Sequence, residues 1–236
     1  MKIKRAIIMA AGKGERLRPI TAKVPKPLVM VNGKRMIDTI IQALHQNDIY
    51  EIYVVVGYLK EAFKELPQVY QHLKLIENPY YETCNNISSM YVARDYLADS
   101  IVIDGDQIIR NAKVLRNEVE RSGYTCFWTD KMTKEWLFQV DNQGIVTDCS
   151  RTGGQKGWQL FGVSRWNNKD GKHLAKLIKK EFELGRKDIY WDDVAMFLYR
   201  QEFELGYYPM GEMDILEIDS WQELLAQDKS YQQIKV

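Results

Sequence analysis

A glycine-rich segment with several positive charges directly follows the first apolar run of the chain. Residues 9–31 have the sequence MAAGKGERLRPITAKVPKPLVMV, with glycines at positions 12 and 14 and cations that include Arg16 and Lys26. Glycine allows positive φ angles, and successive backbone N–H groups in such a loop form a concave surface that binds anions. The segment therefore predicts a site for a ligand with several negative charges. A solvated surface connection is the alternative.

Acidic residues end two later apolar runs. One run begins at Ser100 and ends in Asp104-Gly105-Asp106, and the other ends in Glu217-Ile218-Asp219. Carboxylate oxygens at the end of a strand suit Mg²⁺, a hard cation that shares its coordination with substrate phosphates. A magnesium ion beside bound phosphates is one interpretation of these acids. A simple Asp-Gly turn is the alternative for the first of them.

The elements that position these residues follow from the alternation of apolar runs with helical patterns. Such alternation predicts βαβ units, which form a parallel sheet with helices on both faces. In an open sheet of this kind, ligands bind outside the carboxyl ends of the strands, where both the glycine-rich loop and Asp104 would lie. The first half is predicted to contain strands over 3–9, 51–58, 73–78 and 100–106 and helices over 34–47, 60–66, 86–98 and 111–121.

The second half of the chain is richer in short strands. Asn142-Gln143-Gly144 predicts a hairpin turn, and Ser220 with Glu223 three residues later predicts a capping box at the start of a final helix. The whole pattern is typical of an α/β fold with a Rossmann-like mixed, mostly parallel sheet flanked by helices and a strand-rich insertion. This half is predicted to contain strands over 124–130, 135–141, 144–150, 157–164 and 214–219 and helices over 168–184 and 192–203.

Composition excludes several classes of protein. Lys and Arg number 33 against 32 Asp and Glu, so no global basic field is present to bind nucleic acid. No apolar stretch approaches the ~18 residues that cross a membrane. Three histidines lie far apart, which argues against a histidine-centred mechanism. We expect a cytoplasmic protein without nucleic-acid or membrane partners, and free thiols at the three cysteines, which show no metal-like spacing: Cys84, Cys126 and Cys149.

Residues 10–26 contain the pattern A-A-G-x-G-x-R-x-x-P-x-T-x-x-x-P-K, which is similar to the signature of the nucleotidyltransferases. These enzymes join a nucleoside triphosphate to a sugar phosphate or an alcohol phosphate. The resemblance covers nearly the whole chain, since the order of strands and helices also fits. We expect one domain over residues 1–236, with a mainly nucleotide-binding half over 1–121, a mainly acceptor-binding half over 122–219 and a C-terminal helix over 220–236.

The resemblance implies roles for the charged residues. Arg16 would bind the β and γ phosphates, and Lys26 would bridge the α phosphate and the acceptor phosphate as the second catalytic cation. Asp106 would be a ligand of Mg²⁺, with Asp219 as the second ligand, although Asp192 and Asp193 remain rivals for that position. The backbone of the loop would lie beneath the nucleotide, through Ala10, Ala11, Gly12 and Gly14.

Residues 77–90, ENPYYETCNNISSM, resemble the CTP:phosphocholine cytidylyltransferases of bacterial LicC type. The segments Glu135-Trp136, Tyr190-Trp191-Asp192 and Glu217–Ser220 add to this resemblance. It implies transfer of CMP from CTP to phosphocholine by a single in-line displacement, which yields CDP-choline and pyrophosphate. Donors and acceptors for the pyrimidine edge would come from three residues, with helix capping as the alternative for the first: Asn85, Asn86 and Ser88.

Three aromatic residues of these segments adjoin acids, and aromatic faces with nearby carboxylates are what a quaternary ammonium group requires. The acceptor site would therefore consist of aromatic faces together with the charges of Asp192 and Glu217. Burial in the core is the alternative for the aromatic residues, which are Trp136, Tyr190 and Trp191. Two other functions stay open: a nucleotidyltransferase for another alcohol phosphate or a sugar 1-phosphate, and a catalytically silent regulatory module that binds nucleotide.

Overall fold

The computed structural model describes residues 1–233. Its five α-helices, numbered α1 to α5 in chain order, are Met36–Gln46, Leu66–Val69, Ile87–Ala93, Asn168–Glu183 and Trp221–Gln227. Its strands, numbered β1 to β13, are Arg5–Ala10, Met30–Val31, Lys34–Arg35, Glu51–Val56, Leu73–Glu77, Ser100–Asp104, Gln107–Ile109, Gly123–Thr129, Leu137–Val140, Val146–Ser150, Gly157–Trp166, Gly206–Pro209 and Ile215–Glu217.

A nine-stranded mixed sheet forms the centre of the molecule and contains strands from both halves of the chain. Seven strands have the order β10-β9-β11-β6-β1-β4-β5, and β8 pairs with both β11 and β12. The pairs β6-β1, β1-β4 and β4-β5 are parallel, whereas β11 runs antiparallel to β6 and continues the sheet into the strand-rich region. The predicted α/β fold class is confirmed.

Hydrophobic layers cover both faces of this sheet. Along β1, Ile8 packs in a core that includes Ile40 of α1, and Ile7 packs in a second core that includes Met90 of α3 and Leu174 of α4. Successive side chains of a strand point to opposite faces, so a strand buried on both sides must be apolar at every position. This explains the uninterrupted apolar run of β1 and places its carboxyl end, at the start of the glycine-rich loop, between two packed layers.

Several predicted helices are wrong in extent. The segment 60–66 contains a 3-10 turn over Lys60–Phe63, and α2 begins only at Leu66. The segment 111–121 contains only a 3-10 turn over Ala112–Leu115, because the following residues contact the N-terminal segment: Asn117 accepts the backbone N–H of Ile3 at 2.7 Å. The predicted helix over 192–203 is instead a π-helical turn over Val194–Leu198 followed by a 3-10 turn over Arg200–Glu202.

The final helix, α5, begins as predicted. Ser220 Oγ accepts the Glu223 backbone N–H, and the Glu223 carboxylate accepts the Ser220 backbone N–H at 2.9 Å. The predicted extent of the C-terminal helix, 220–236, is wrong, because α5 ends at Gln227 and a 3-10 turn over Lys229–Gln233 follows it. The last predicted residues, 234–236, lie outside the described residues. The three cysteines are free thiols. Within residues 1–233, no helix combines the length and the apolar composition needed to cross a lipid bilayer.

Candidate active site

The glycine-rich loop folds back on itself and brings Lys26 under its backbone. Gly14 has φ of 60°, and a Cβ atom at this position would lie 3.0 Å from Lys26 Cβ. Thr21 Oγ1 donates a hydrogen bond to the Gly14 carbonyl at 2.8 Å and closes the loop. By contrast, a Cβ atom at Gly12 would have no neighbour within 4 Å, so the backbone there borders open space. The sequence needs glycine at position 14 for its conformation, and glycine at 12 leaves the backbone accessible.

A cavity of about 460 Å³ lies at the carboxyl ends of β1 and β6. This is the edge at which open α/β sheets bind ligands. The cavity is lined by the loop backbone, two cations, several acids and two residues at the start of α3. Its lining includes Ala10, Ala11, Gly12, Gly14, Arg16, Lys26, Asn86, Ser89, Asp104, Asp106 and Asp219.

Lys26 is the centre of an ionic cluster in this cavity. Its ammonium donates to Asp106 Oδ2 and to Asp219 Oδ1, both at 2.7 Å, and Arg16 Nη2 lies 3.1 Å from Asp219 Oδ1. Burial alone would lower the pKa of Lys26, but the two carboxylates outweigh it and raise that pKa above its ordinary value. Burial alone would raise the pKa of Asp219, but the cations Lys26 and Arg16 hold it below its ordinary value. Lys26 and Asp219 therefore keep their charges at neutral pH.

The carboxylates of Asp106 and Asp219 already converge on one cation, the Lys26 ammonium. Their oxygens have the chemistry that Mg²⁺ prefers. No group of three or more His, Cys, Asp or Glu side chains in residues 1–233 is arranged to hold a metal, so an ion held by these two would take further ligands from phosphate and water. The rival Asp193 is engaged elsewhere, since its Oδ1 accepts a hydrogen bond from Arg151 Nε at 2.7 Å and lies 2.6 Å from Arg151 Nη2.

Asp104 belongs to the site although the sequence analysis selected only Asp106 from this pair. Its side chain packs against Gly162 of β11, where an added Cβ atom would lie 1.9 Å from Asp104 Oδ2. Burial, together with the charges of Asp106, Asp192 and Glu217, raises the pKa of Asp104 well above its ordinary value. The signal was present in the sequence, because residues two apart at a strand end project to the same side.

Asp104 also lines a second, small cavity of about 10 Å³ with Tyr124, Trp191 and Asp192. That volume admits one group of the size of a water molecule. The Tyr124 hydroxyl is buried beside the Asp192 carboxyl group. Burial and the charge of Asp193 raise the pKa of Asp192 to about 7, against a lowering influence of Tyr124. The small cavity is therefore an oxygen-rich pocket next to the large one.

The predicted pyrimidine-binding residues have different roles in the structure. Asn86 lines the large cavity, and its Oδ1 accepts the Trp191 backbone N–H at 2.9 Å. Asn85 donates through Nδ2 to the Asp188 carbonyl at 3.3 Å, which connects the same two segments. Ser88 is only 1% exposed, and its hydroxyl accepts from Asn78 and donates to the Asn85 carbonyl.

The prediction that Ser88 contacts the base is wrong for this structure, because its hydroxyl is buried and bonded within the protein. Ser89, the next residue of α3, lines the large cavity instead. Consecutive residues on a helix point in directions about 100° apart, so the choice between the two serines depends on how α3 is rotated against the sheet.

The predicted aromatic acceptor residues differ in burial, since Tyr190 is exposed, Trp136 is half-buried and Trp191 lies in the core. Trp136 packs edge-to-face against Tyr190, with ring centroids 5.9 Å apart, and against Phe197 at 5.3 Å. We call these three residues the aromatic cluster. Trp191, in contrast, is 3% exposed and packs on Trp166 in the core, so its assignment to the same aromatic surface is wrong. Phe197 was missed because its position depends on the irregular π-helical turn.

Glu217 lies on the acidic side of the site. It is on β13, opposite Gln107 of β7, and accepts a hydrogen bond from Gln107 Nε2 at 2.9 Å. Burial and the charges of Asp106 and Asp219 raise the pKa of Glu217 to about 7. The structure thus places Glu217 with the carboxylates around Lys26.

Comparison with known proteins identifies relatives along nearly the whole chain. Over 229 residues the chain is 37% identical to the 2-aminoethylphosphonate cytidylyltransferase of Lancefieldella rimae, covering 96% of this chain and 92% of that protein. Over 224 residues it is 35% identical to the choline-phosphate cytidylyltransferase of Streptococcus pneumoniae, covering 93% and 94%.

A solved structure shows the same architecture. The CTP:phosphocholine cytidylyltransferase LicC from Streptococcus pneumoniae matches with a TM-score of 0.89 and 34% identity, covering 98% of this chain and 99% of that one. A sequence profile described as nucleotidyl transferase matches residues 5–135, the part that contains the glycine-rich loop, Lys26 and Asp106. From this match and the long alignments, the chain belongs to the nucleotidyl transferase family.

Proposed function

We propose that the protein is a cytidylyltransferase that transfers CMP from CTP to phosphocholine, yielding CDP-choline and pyrophosphate. The family and the cytidylyltransferase names of its relatives support the reaction class. The observation that carries the choice of acceptor is the aromatic cluster, in which Tyr190 is exposed and Trp136 and Phe197 are half-buried. Tyr190 and Phe197 lie on the segment that the Trp191 backbone bonds to Asn86 of the cavity wall, and Trp136 packs on both of their rings.

The cavity has the charge distribution that nucleotidyl transfer needs. Arg16 is exposed at the mouth and would bind the β and γ phosphates, and Lys26 is buried deeper and would contact the α phosphate. The loop backbone at Gly12 borders open space, where it would lie beneath the nucleotide, and Asn86 Nδ2 would donate to the base. Such transfer depends on positioning and on charge neutralisation more than on a protein nucleophile.

The reaction is a single displacement at the α phosphorus. An oxygen of the acceptor phosphate forms the new P–O bond while the bond to the β-phosphate oxygen breaks, and pyrophosphate leaves with that electron pair. The acceptor oxygen is already ionised, so no protein base is required. Asp106 and Asp219 would hold Mg²⁺, which when bound would neutralise charge on the triphosphate. The Lys26 ammonium would then exchange carboxylate contacts for phosphate contacts.

The aromatic cluster suits the trimethylammonium end of phosphocholine. That group has no N–H to donate, so a protein recognises it by shape, by charge and by aromatic faces. Trp136 and Tyr190 present such faces, and the neighbouring Asp192 supplies a carboxylate. Each aromatic contact contributes roughly 0.5–2 kcal/mol, depending on how far it is desolvated.

A second candidate acceptor is 2-aminoethylphosphonate, which the small cavity favours. An ammonium group is about the size of a water molecule and has three donors. The small cavity holds about one such group and presents oxygens of Asp104, Asp192 and Tyr124. The similarity to the Lancefieldella rimae enzyme points in the same direction. The two candidates thus differ in where the acceptor nitrogen would bind: at the aromatic cluster for phosphocholine, and in the small cavity for 2-aminoethylphosphonate.

Pyrophosphate release measured with each nucleoside triphosphate against a panel of acceptors tests the proposal. The panel contains phosphocholine, phosphoethanolamine, 2-aminoethylphosphonate, a neutral alcohol phosphate and a sugar 1-phosphate. We expect the highest kcat/KM with CTP and phosphocholine. A preference for 2-aminoethylphosphonate would transfer the assignment to the small cavity, and equal use of all acceptors would contradict recognition of the nitrogen altogether.

A pair of tryptophan variants tests whether the aromatic cluster binds the acceptor or only stabilises the fold. Trp136→Ala is expected to raise the KM for phosphocholine while the KM for CTP stays unchanged. Trp128→Ala is the matched control, since Trp128 is also an edge-to-face tryptophan, packed on Trp158 at 5.3 Å and exposed on the same sheet. A similar KM increase in both variants would show that the cluster acts only through stability.

A further inference from the structure

An ion pair outside the large cavity connects the turn after β10 to the segment that carries Tyr190. Arg151 donates a hydrogen bond through Nε to Asp193 Oδ1 at 2.7 Å, and its Nη2 lies 2.6 Å from the same oxygen. Asp193 is buried, and its other oxygen, Oδ2, accepts the Tyr190 backbone N–H at 2.9 Å. A single carboxylate therefore links Arg151 to the backbone of an aromatic-cluster residue.

The same guanidinium contacts the aromatic cluster directly. Its Cζ atom lies 3.8 Å from the ring centroid of Phe197, and Phe197 in turn packs edge-to-face on Trp136. Arg151 thus reaches the aromatic cluster by two routes, through Asp193 to the exposed Tyr190 and through Phe197 to the half-buried Trp136. The planar guanidinium suits this double role, because it can stack on a ring while it forms a forked contact with a carboxylate.

We infer that Arg151 is a positioning residue for the cationic end of the acceptor, an inference that rests on the proposed function. Through Asp193 and Phe197 it fixes the separation of the Tyr190 and Trp136 rings. Its pairing with Asp193 also neutralises one of two adjacent acids. Asp192 is then the acid of this pair whose charge remains available to the acceptor nitrogen.

Steady-state kinetics of three variants test this role. Arg151→Ala is expected to raise the KM for phosphocholine about tenfold, the effect of losing roughly one cation–π contact, with kcat and the KM for CTP unchanged. Arg151→Lys should recover part of the loss, because an ammonium can still pair with Asp193. Combining Arg151→Ala with Asp193→Asn should raise the KM no further than Arg151→Ala alone, since both changes break the same link.

Arg186 provides a matched control, because it is another half-exposed arginine paired with a buried acid. It pairs with the buried Glu181 at 3.0 Å, and its side chain is 51% exposed, compared with 49% for Arg151. Arg186→Ala should leave the KM for phosphocholine unchanged. Equal KM increases in the two alanine variants, no increase in Arg151→Ala, or a loss of CTP affinity in Arg151→Ala would overturn the inference.

Turnover of the acceptor panel by the wild type distinguishes a failure of this inference from a failure of the proposed function. If the wild type uses phosphocholine and Arg151→Ala has a normal KM, only the positioning role is wrong. If the wild type uses 2-aminoethylphosphonate instead, the proposed acceptor is wrong, and the KM for that substrate in Arg151→Ala becomes the test. Turnover only with acceptor phosphates whose alcohol part carries no cationic nitrogen would overturn both the proposed acceptor and the role of Arg151.

Discussion

Replacing Lys26 with methionine removes the ammonium that two carboxylates share. In the wild type this group donates to Asp106 and to Asp219 at 2.7 Å each. Methionine is similar in length and flexibility and fills the same space, so the cost of a new cavity is small. The main effect is that Asp106 and Asp219 lose their common partner while Arg16 still pairs with Asp219.

The expected loss of stability follows from the exposure of the three side chains. The Lys26 side chain is 9% exposed, and those of Asp106 and Asp219 are 33% and 36% exposed. Breaking a buried pair costs about 3–5 kcal/mol, whereas exposed pairs contribute about 0–1 kcal/mol. A buried cation between partly solvated acids lies between these limits, so we expect the free energy of unfolding to fall by about 1–3 kcal/mol at pH 7.

This loss should depend on pH. The pKa of Asp219 is held below its ordinary value of 3.8 by Lys26 and Arg16, against the opposing effect of burial. A carboxylate with a lowered pKa stabilises the fold above the pKa it has in the unfolded chain, and this contribution disappears as the pH falls through the folded pKa. The stability difference between Lys26→Met and the wild type should therefore be complete at neutral pH and narrow below about pH 4.

Urea denaturation at pH 7 and pH 3.5, in the presence of a chelator, measures this difference. Lys60→Met is the control, because Lys60 pairs with Glu77 on the surface, with side chains 43% and 56% exposed, and its loss should destabilise the fold far less than the loss of Lys26. In parallel, Lys26→Met should lower kcat more than it raises the KM for CTP, since the ammonium contacts developing charge. Unchanged stability at pH 7, or a pure KM effect, would refute this account of Lys26.

Three further changes have defined outcomes. Asp219→Asn should leave a folded protein whose turnover is low at limiting Mg²⁺, which titration of activity with the metal checks. Gly162→Ala should lower the midpoint of thermal unfolding, because its Cβ atom would lie 1.9 Å from Asp104 Oδ2 and must displace that carboxyl group. Since burial raises the pKa of Asp192 to about 7, kcat/KM for a cationic acceptor should rise with pH through this value as the carboxyl group becomes charged. Asp192→Asn should flatten that part of the pH profile.

The sequence alone determined the features that depend on short segments. Apolar runs and glycine spacing predicted β1 and the loop after it, and the Ser220–Glu223 pair predicted the capped start of α5, because these structures form from neighbouring residues. The same periodic patterns predicted the α/β architecture. They failed over 111–121, where contacts with the N-terminal segment replace the helix.

Only the tertiary structure decided which side chains share a cavity. Lys26 and Asp219 are 193 residues apart in the chain. The Asp104 side chain fits against β11 because Gly162 has no Cβ atom to clash with it. Ser89 rather than Ser88 lines the cavity, and Trp191 is buried while Tyr190 is exposed, because packing against the sheet fixes how each segment is rotated. A change of one residue alters the direction of a side chain by about 100° on a helix, and no local pattern determines that rotation.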